Sequence, residues 1–182
     1  MSSPILLAVA AAVKLDSKGP VIFKQERLAK DGKVFEMYKF RSMCVGAEHM
    51  GMGQYSYKGD SRVTRVGKII RATSLDELPQ LFNILSGSMS FVGPRPLIPE
   101  EKEIRALRRE YGVYSVRPGM TGLAQVNGRD KLSIEEKALF DKEYVDKQSL
   151  WLDIKIMFKT VKVVLCREGI SEGGEKGNTR RP

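Results

Sequence analysis

Residues 4–13, PILLAVAAAV, form an apolar run without a single charge, and its length restricts what the chain can become. At about 1.5 Å per residue, a helix of that length reaches only about 15 Å, half the ~30 Å depth of bilayer hydrocarbon. The run is too short to span a membrane, and no basic stretch precedes it as a signal peptide would require. Two roles stay open: a helix of a buried core, or half of a re-entrant segment that enters and leaves on one side.

At the other end, SLWLDIKIMFKTVKVVL (149–165) reads as a helix. Lys155, Lys159 and Lys162 fall on one stripe at i, i+4 and i+7, apolar residues fill most of the rest, and Trp151 stands near one end. A helix lying in a membrane interface shows that pattern. So does an ordinary amphipathic helix on a soluble core, which is the commoner case.

Between these ends the chain alternates short elements. LDSKGPVIFKQERL (15–28) reads as a turn and a strand, KVFEMYKFRSM (33–43) as a second strand, with Asp31-Gly32 as the hairpin turn. Residues 44–62 read as a mobile loop. VGKIIRAT leads into an acid pair, PQLFNILSGSM is a short helix, and three prolines keep FVGPRPLIP extended. EEKEIRALRREYG is a charged helix with i, i+4 pairing, stopped at Gly112. VRPGMTGLAQVNGR is turn-rich, and SIEEKALFDKEYVDKQ is a helix opened by a Ser133–Glu136 capping box. The polar, glycine-rich tail from Arg167 is expected to be disordered. The fold class is α+β, helix-rich, with a small β-hairpin.

With 31 basic against 22 acidic residues, the net charge is +9. That balance suits a polyanionic partner: nucleic acid, an anionic membrane surface, or phosphate-bearing substrates. Two distant cysteines, Cys44 and Cys166, argue against a disulfide framework. A Ser-His-Asp triad would have to use His49, the only histidine, and no G-x-S-x-G accompanies it. Histidine-rich zinc sites are excluded. Acid–base and nucleophilic work therefore falls to carboxylates.

RATSLDELPQLFN (71–83) places Asp76 beside Glu77. In the bland reading Ser74 caps a helix and Glu77 bonds back to it. Pro79 would then stand at the fifth helical position and cost a backbone bond to Leu75. Alternatively Pro79 is the first helical residue, and the two acids occupy the turn before a helix N-terminus, which favours ionised carboxylates and phosphate. Neighbouring side chains on a helix diverge, so one acid can attack while the other holds a divalent cation. Magnesium held by one or two carboxylates plus substrate phosphates is the natural arrangement, with nearby arginines offsetting diphosphate charge.

KFRSM (39–43), GKIIRATSLDELPQLFNILSGSMSFVGPRP (67–96), VRPGMTGLAQVNGR (116–129) and SLWLDIKIMFKTVKVVL (149–165) occur in that order. Together with LDSKGPVIFKQERL, they resemble the bacterial sugar transferases, the monotopic phosphoglycosyl transferases, over about residues 3–170. The resemblance implies transfer of a sugar phosphate from a UDP-sugar to polyprenyl (undecaprenyl) phosphate at the cytoplasmic face of the bacterial inner membrane, the first membrane step of glycan, capsule, exopolysaccharide or lipopolysaccharide assembly. It implies that Asp76 is the covalent nucleophile, that UMP leaves the donor as an aspartyl-phosphosugar forms, and that Mg2+ is required, with Asp76 and Glu77 as metal candidates. Arg71 and Arg95 match basic positions of the family and are the phosphate-binding candidates; Gln125 and Arg129 are further candidates for the nucleotide or its phosphates.

The same resemblance implies a monotopic catalytic domain with interfacial amphipathic helices. Ser3-Pro4 matches the break of the family's re-entrant helix, of which only the returning half is expected here: 1–13 a re-entrant remnant, 14–170 the catalytic domain, 171–182 a flexible tail. Trp151, Lys155 and Lys159 would meet inner-membrane lipid. Two other readings compete. YKFR and RREYGVYSVR, mixing aromatic and basic residues, fit a nucleic-acid-binding module, which leaves the acid pair and the last helix without a reason. An inactive truncated transferase is the other.

Overall fold

The structure, a computed structural model, describes residues 4–50 and 59–166. Helix α1 (Pro4–Asp16) divides its apolar run between two environments. Val9 and Val13 pack against Phe40 and Ile70, while Ile5 and Leu7 stay exposed. Buried Arg41 closes its C-terminal end, donating to the oxygen of Val13 in the last turn and to those of Ser17 and Lys18 just beyond it. Among the described residues no helix is long and apolar enough to cross a membrane.

The hairpin forms as its sequence predicts. Strands β1 (Ile22–Leu28) and β2 (Val34–Phe40) pair antiparallel from Ile22↔Phe40 to Leu28↔Val34. The turn carries Asp31 at φ 59° and Gly32 at φ 70°, the left-handed pair that a tight hairpin demands. The described parts of 44–62 are not a loose loop. Asp60 and Arg62 form a buried ion pair at 2.7 Å, and Arg62 Nη1 also donates to the carbonyls of Ala47 (2.8 Å) and Met50 (2.6 Å). This clasp cannot be read from a string of glycine and charge.

VGKIIRAT, left unassigned by its sequence, is helix α2 (Arg65–Ala72), opened by Thr64, whose Oγ1 accepts from Gly67 N at 2.9 Å. A single 3-10 turn, Leu75–Glu77, connects it to the short α3 (Gln80–Leu85). Strand β3 (Ser90–Val92) then runs parallel to β4 (Gly119–Thr121), a pairing between turn-rich segments that their local patterns hide. Gly119 permits it: a Cβ there would stand 2.1 Å from Gly93 N and 2.4 Å from Thr121 O. Gly119→Ala is expected to lower the urea unfolding midpoint, by about 2 kcal/mol of stability, since neither backbone atom can retreat.

Helix α4 (Lys102–Glu110) ends before Gly112 at φ 68°. Its arginines are not spent along its own face as expected. Arg105 donates to Pro99 O, and Arg108 crosses to Asp141. The one-turn α5 (Leu123–Val126), α6 (Ile134–Asp146) and α7 (Leu150–Cys166) complete the fold, α6 with the Ser133–Glu136 capping box in place. Leu28, Leu97, Ile104 and Ala138 form one core beneath α4 and α6; Val92, Tyr144 and Ile156 form another beneath α7. The tail from 167 lies outside the described residues.

Candidate functional site

Ser74 adopts φ 55°, ψ 17°, a left-handed conformation unusual for a residue with a Cβ. Its side chain makes no cap bond, so the Ser74–Glu77 capping box does not form. Pro79 stands at the entrance to α3 and terminates any helix begun at Ser74. Asp76 and Glu77 therefore occupy the turn immediately before α3, as the Pro79 alternative requires.

That turn is held against the hairpin. Buried Asn83 of α3 accepts from Tyr38 N at 2.9 Å and donates to Glu36 O at 2.7 Å. The clamp fixes the register between α3 and β2 and brings Lys39 to the acid pair: Lys39 Nζ lies 3.5 Å from Glu77 Oε1. Each of these two side chains retains only about a fifth of its surface, 18% and 20%. Lys39 is the site residue that sequence reasoning missed. Its signal was a lysine between the aromatic residues Tyr38 and Phe40.

The environment drives the two carboxyls apart. Burial pushes Asp76 up to about 6, with the negative charge of Glu77 adding to the rise and Lys39 and Arg71 opposing it. Burial also acts to raise Glu77, but Lys39, Arg95 and Arg129 outweigh it and hold that carboxyl below its ordinary value. Lys39 is itself lowered, first by burial and then by Arg95, against the pull of Glu77 and Asp76. Four cations thus act on two acids, Arg71 and Lys39 on Asp76, and Lys39, Arg95 and Arg129 on Glu77. The surplus is positive, as an anionic substrate needs.

A groove of about 320 Å³ opens beside this cluster. Glu77, Arg95, Gln125 and Arg129 line it, together with Ser74 and residues of α7. Asp76 and Arg71 are not among its lining residues; Arg71 acts on Asp76 through its charge. Ser74 and Arg129, the latter at φ 52°, are two of the three non-glycine residues at positive φ among those described, and both line this groove. Strain of this kind gathers where geometry serves a site. Gln125 Nε2 donates to Met120 O at 3.2 Å. Asn127 closes α5 and Gly128 turns the chain at φ 151°, which accounts for both as turn-formers.

The membrane candidates lie elsewhere on the surface. Pro4 opens α1 and is exposed; Ser3 lies outside the described residues. Trp151, Lys155 and Lys159 are all exposed on α7, and Lys155 Nζ sits 5.5 Å from the Trp151 ring centroid. Phe158 is 74% exposed on the same helix.

Comparison with known proteins supplies the class. The family model described as bacterial sugar transferase matches residues 1–167, and the chain belongs to that family. It is 51% identical over 166 residues to the UDP-glucose:undecaprenyl-phosphate glucose-1-phosphate transferase of Klebsiella pneumoniae, a match covering 87% of this chain and 36% of that protein. It is 45% identical over 174 residues to the UDP-N-acetylgalactosamine-undecaprenyl-phosphate N-acetylgalactosaminephosphotransferase of Aeromonas hydrophila, covering 92% of this chain and 40% of the relative. The undecaprenyl-phosphate galactose phosphotransferase of Salmonella typhimurium is 42% identical over 183 residues, covering 93% and 38%. The chain thus spans about two fifths of the length of the curated relatives it matches.

Proposed function

We propose that this chain transfers a sugar phosphate from a UDP-sugar to undecaprenyl phosphate through a covalent intermediate on Asp76. The observation that carries the reading is the Lys39-paired acid turn: two carboxyls of opposed acidity beside a groove walled by Arg95 and Arg129. The names of the relatives, each an undecaprenyl-phosphate sugar phosphotransferase, support the reaction class.

In this reading Arg95 and Arg129 draw the diphosphate to the groove and Arg71 meets it from the Asp76 side. A carboxylate oxygen of Asp76 bonds to the sugar-side phosphorus as the bridging P–O bond breaks, and UMP leaves with the electron pair. An oxygen of the acceptor phosphate then bonds to the same phosphorus. The acyl-phosphate P–O bond breaks and the Asp76 carboxylate is regenerated, leaving a polyprenyl diphosphate sugar. Glu77, kept ionised by Lys39, Arg95 and Arg129, takes no proton during the exchange.

Magnesium fits the donor set, since Asp76 and Glu77 offer adjacent hard oxygens. Among the described residues no group of three or more His, Cys, Asp or Glu could hold a metal by itself, so substrate phosphates would complete its shell. When bound, it would offset charge on the diphosphate. The exposed apolar side chains of α1 and α7, with Trp151, Lys155 and Lys159 at the rim, would seat the chain on the cytoplasmic face of the inner membrane.

The test is a panel of UDP-sugars with undecaprenyl phosphate in detergent, read by nucleotide release. UMP supports the reading; UDP overturns it. Lys39→Met is expected to lower turnover at least tenfold and to raise the Asp76 carboxyl titration midpoint, followed by 13C NMR without added metal, because a cation that favours the ionised form has gone. Lys39→Arg should recover part of both. An unmoved midpoint would remove Lys39 from the site.

A further inference from the structure

The groove beside the acid pair has a mixed lining. Glu77, Arg95 and Arg129 supply charge, and Leu78, Phe91, Met120, Met157, Val161 and Val164 supply apolar surface. We propose that this apolar surface receives the first isoprene units of the acceptor, with α7 as the wall that selects for a lipid; the assignment rests on the transferase reading above.

Three observations favour the lipid over the donor's sugar or nucleoside. First, Phe91, Met157 and Val161 remain 53%, 40% and 56% exposed although they line a concave surface. A prenyl chain would remove that apolar area from water, whereas a hydroxyl-rich sugar would be desolvated against it for no return. Second, the two threonine hydroxyls on the wall and the Gln125 amide N–H are already engaged. Thr121 Oγ1 and Thr160 Oγ1 meet at 2.7 Å, and Thr160 also donates to Ile156 O at 2.8 Å. Gln125 Nε2 donates to Met120 O, while its Oε1 is buried without a partner. Apart from Ser74 and the charged residues, the groove offers few free polar groups to read a sugar ring. Third, the size suits a short length of chain. At ~30 Å³ per water-sized group, about 320 Å³ holds roughly ten such groups, or about two five-carbon units. Arg95 and Arg129 in the same lining can meet the acceptor's phosphate, so one groove holds partners for both the head and the tail of an amphiphile.

The experiment uses this chain in detergent with a UDP-sugar and geranyl phosphate, a two-unit acceptor soluble enough to separate groove binding from membrane partition. Val161→Asp is expected to raise the KM for geranyl phosphate by about tenfold or more, and Val161→Thr, which keeps the shape and adds a hydroxyl, by a few-fold. The KM for the UDP-sugar, measured by UMP release in a single turnover without acceptor, should not follow. Phe158→Asp, on the outward face of the same helix and not lining the groove, should leave the geranyl phosphate KM alone. A donor KM that rises together with the acceptor KM would assign the groove to the donor, and an acceptor KM indifferent to both Val161 variants would leave it without a role; either result overturns the proposal while the transferase reading stands. A wild-type chain that releases no UMP from any UDP-sugar overturns both.

Discussion

Asp76→Asn is expected to abolish turnover, by about 10⁴-fold or more, while the protein folds as well as the wild type or better. The amide has no anionic oxygen with which to form the acyl phosphate, and loss of a covalent nucleophile ranks among the largest single effects in enzymes. The stability half follows from the sign of the carboxyl's shift. Burial raises Asp76 to about 6 from an ordinary 3.8, so its charged form is disfavoured by folding. Stability from this group is fullest below the ordinary value and is lost as pH rises through about 6, so at neutral pH the wild-type side chain is a burden. Removing the charge should stabilise by on the order of 1 kcal/mol, the side chain being partly open to solvent. In buffer with chelator, thermal melts of the two proteins should coincide near pH 4, diverge as pH rises to about 6 and stay apart above it. Mass spectrometry of wild-type protein given donor without acceptor should find a phosphosugar adduct on the peptide carrying Asp76 and none on the variant. An active Asn variant, or an adduct on another residue, would end the covalent assignment.

The same turn shows how far a sequence can be read and where it stops. Local chemistry was legible: Asp31-Gly32 announced the hairpin, Ser133 and Glu136 the start of α6, and Pro79 the boundary that places Asp76 and Glu77 outside a helix. Pairings between segments far apart were not. Lys39 belongs to the site because Asn83 clamps α3 to β2, a contact across 45 and 47 positions of sequence. β3 and β4 pair because Gly93 and Gly119 let two backbones touch. The Asp60–Arg62 clasp lies where composition alone suggested a loop. No periodicity within one segment encodes such contacts. For α1 the core reading holds at Val9 and Val13, while Ile5 and Leu7 stay exposed.

Arg108→Met is expected to cost about 3–5 kcal/mol of stability. Arg108 and Asp141, 4% and 1% exposed, are paired at 2.5 Å between α4 and α6. Burial already pushes the Asp141 carboxyl up, and Arg108 is the main opposing charge. Without it a bare carboxylate is left inside the core of Leu97, Ile104 and Ala138, and its titration moves higher still. The deficit should therefore be greatest at neutral pH and shrink as acid protonates Asp141. Arg108→Met combined with Asp141→Leu should recover most of the lost stability, because an apolar pair of similar volume replaces two costly charges. Catalysis should not recover with it. Arg108 Nη1 also donates to the carbonyl of Arg95 at 2.7 Å, anchoring the segment that carries Arg95 into the groove. The double variant is expected to melt near the wild-type temperature and yet show a KM for the UDP-sugar raised several-fold. A double variant with wild-type KM would mean that Arg95 is placed by other contacts, and one as unstable as Arg108→Met would mean that the pair contributes through geometry that no apolar substitute reproduces.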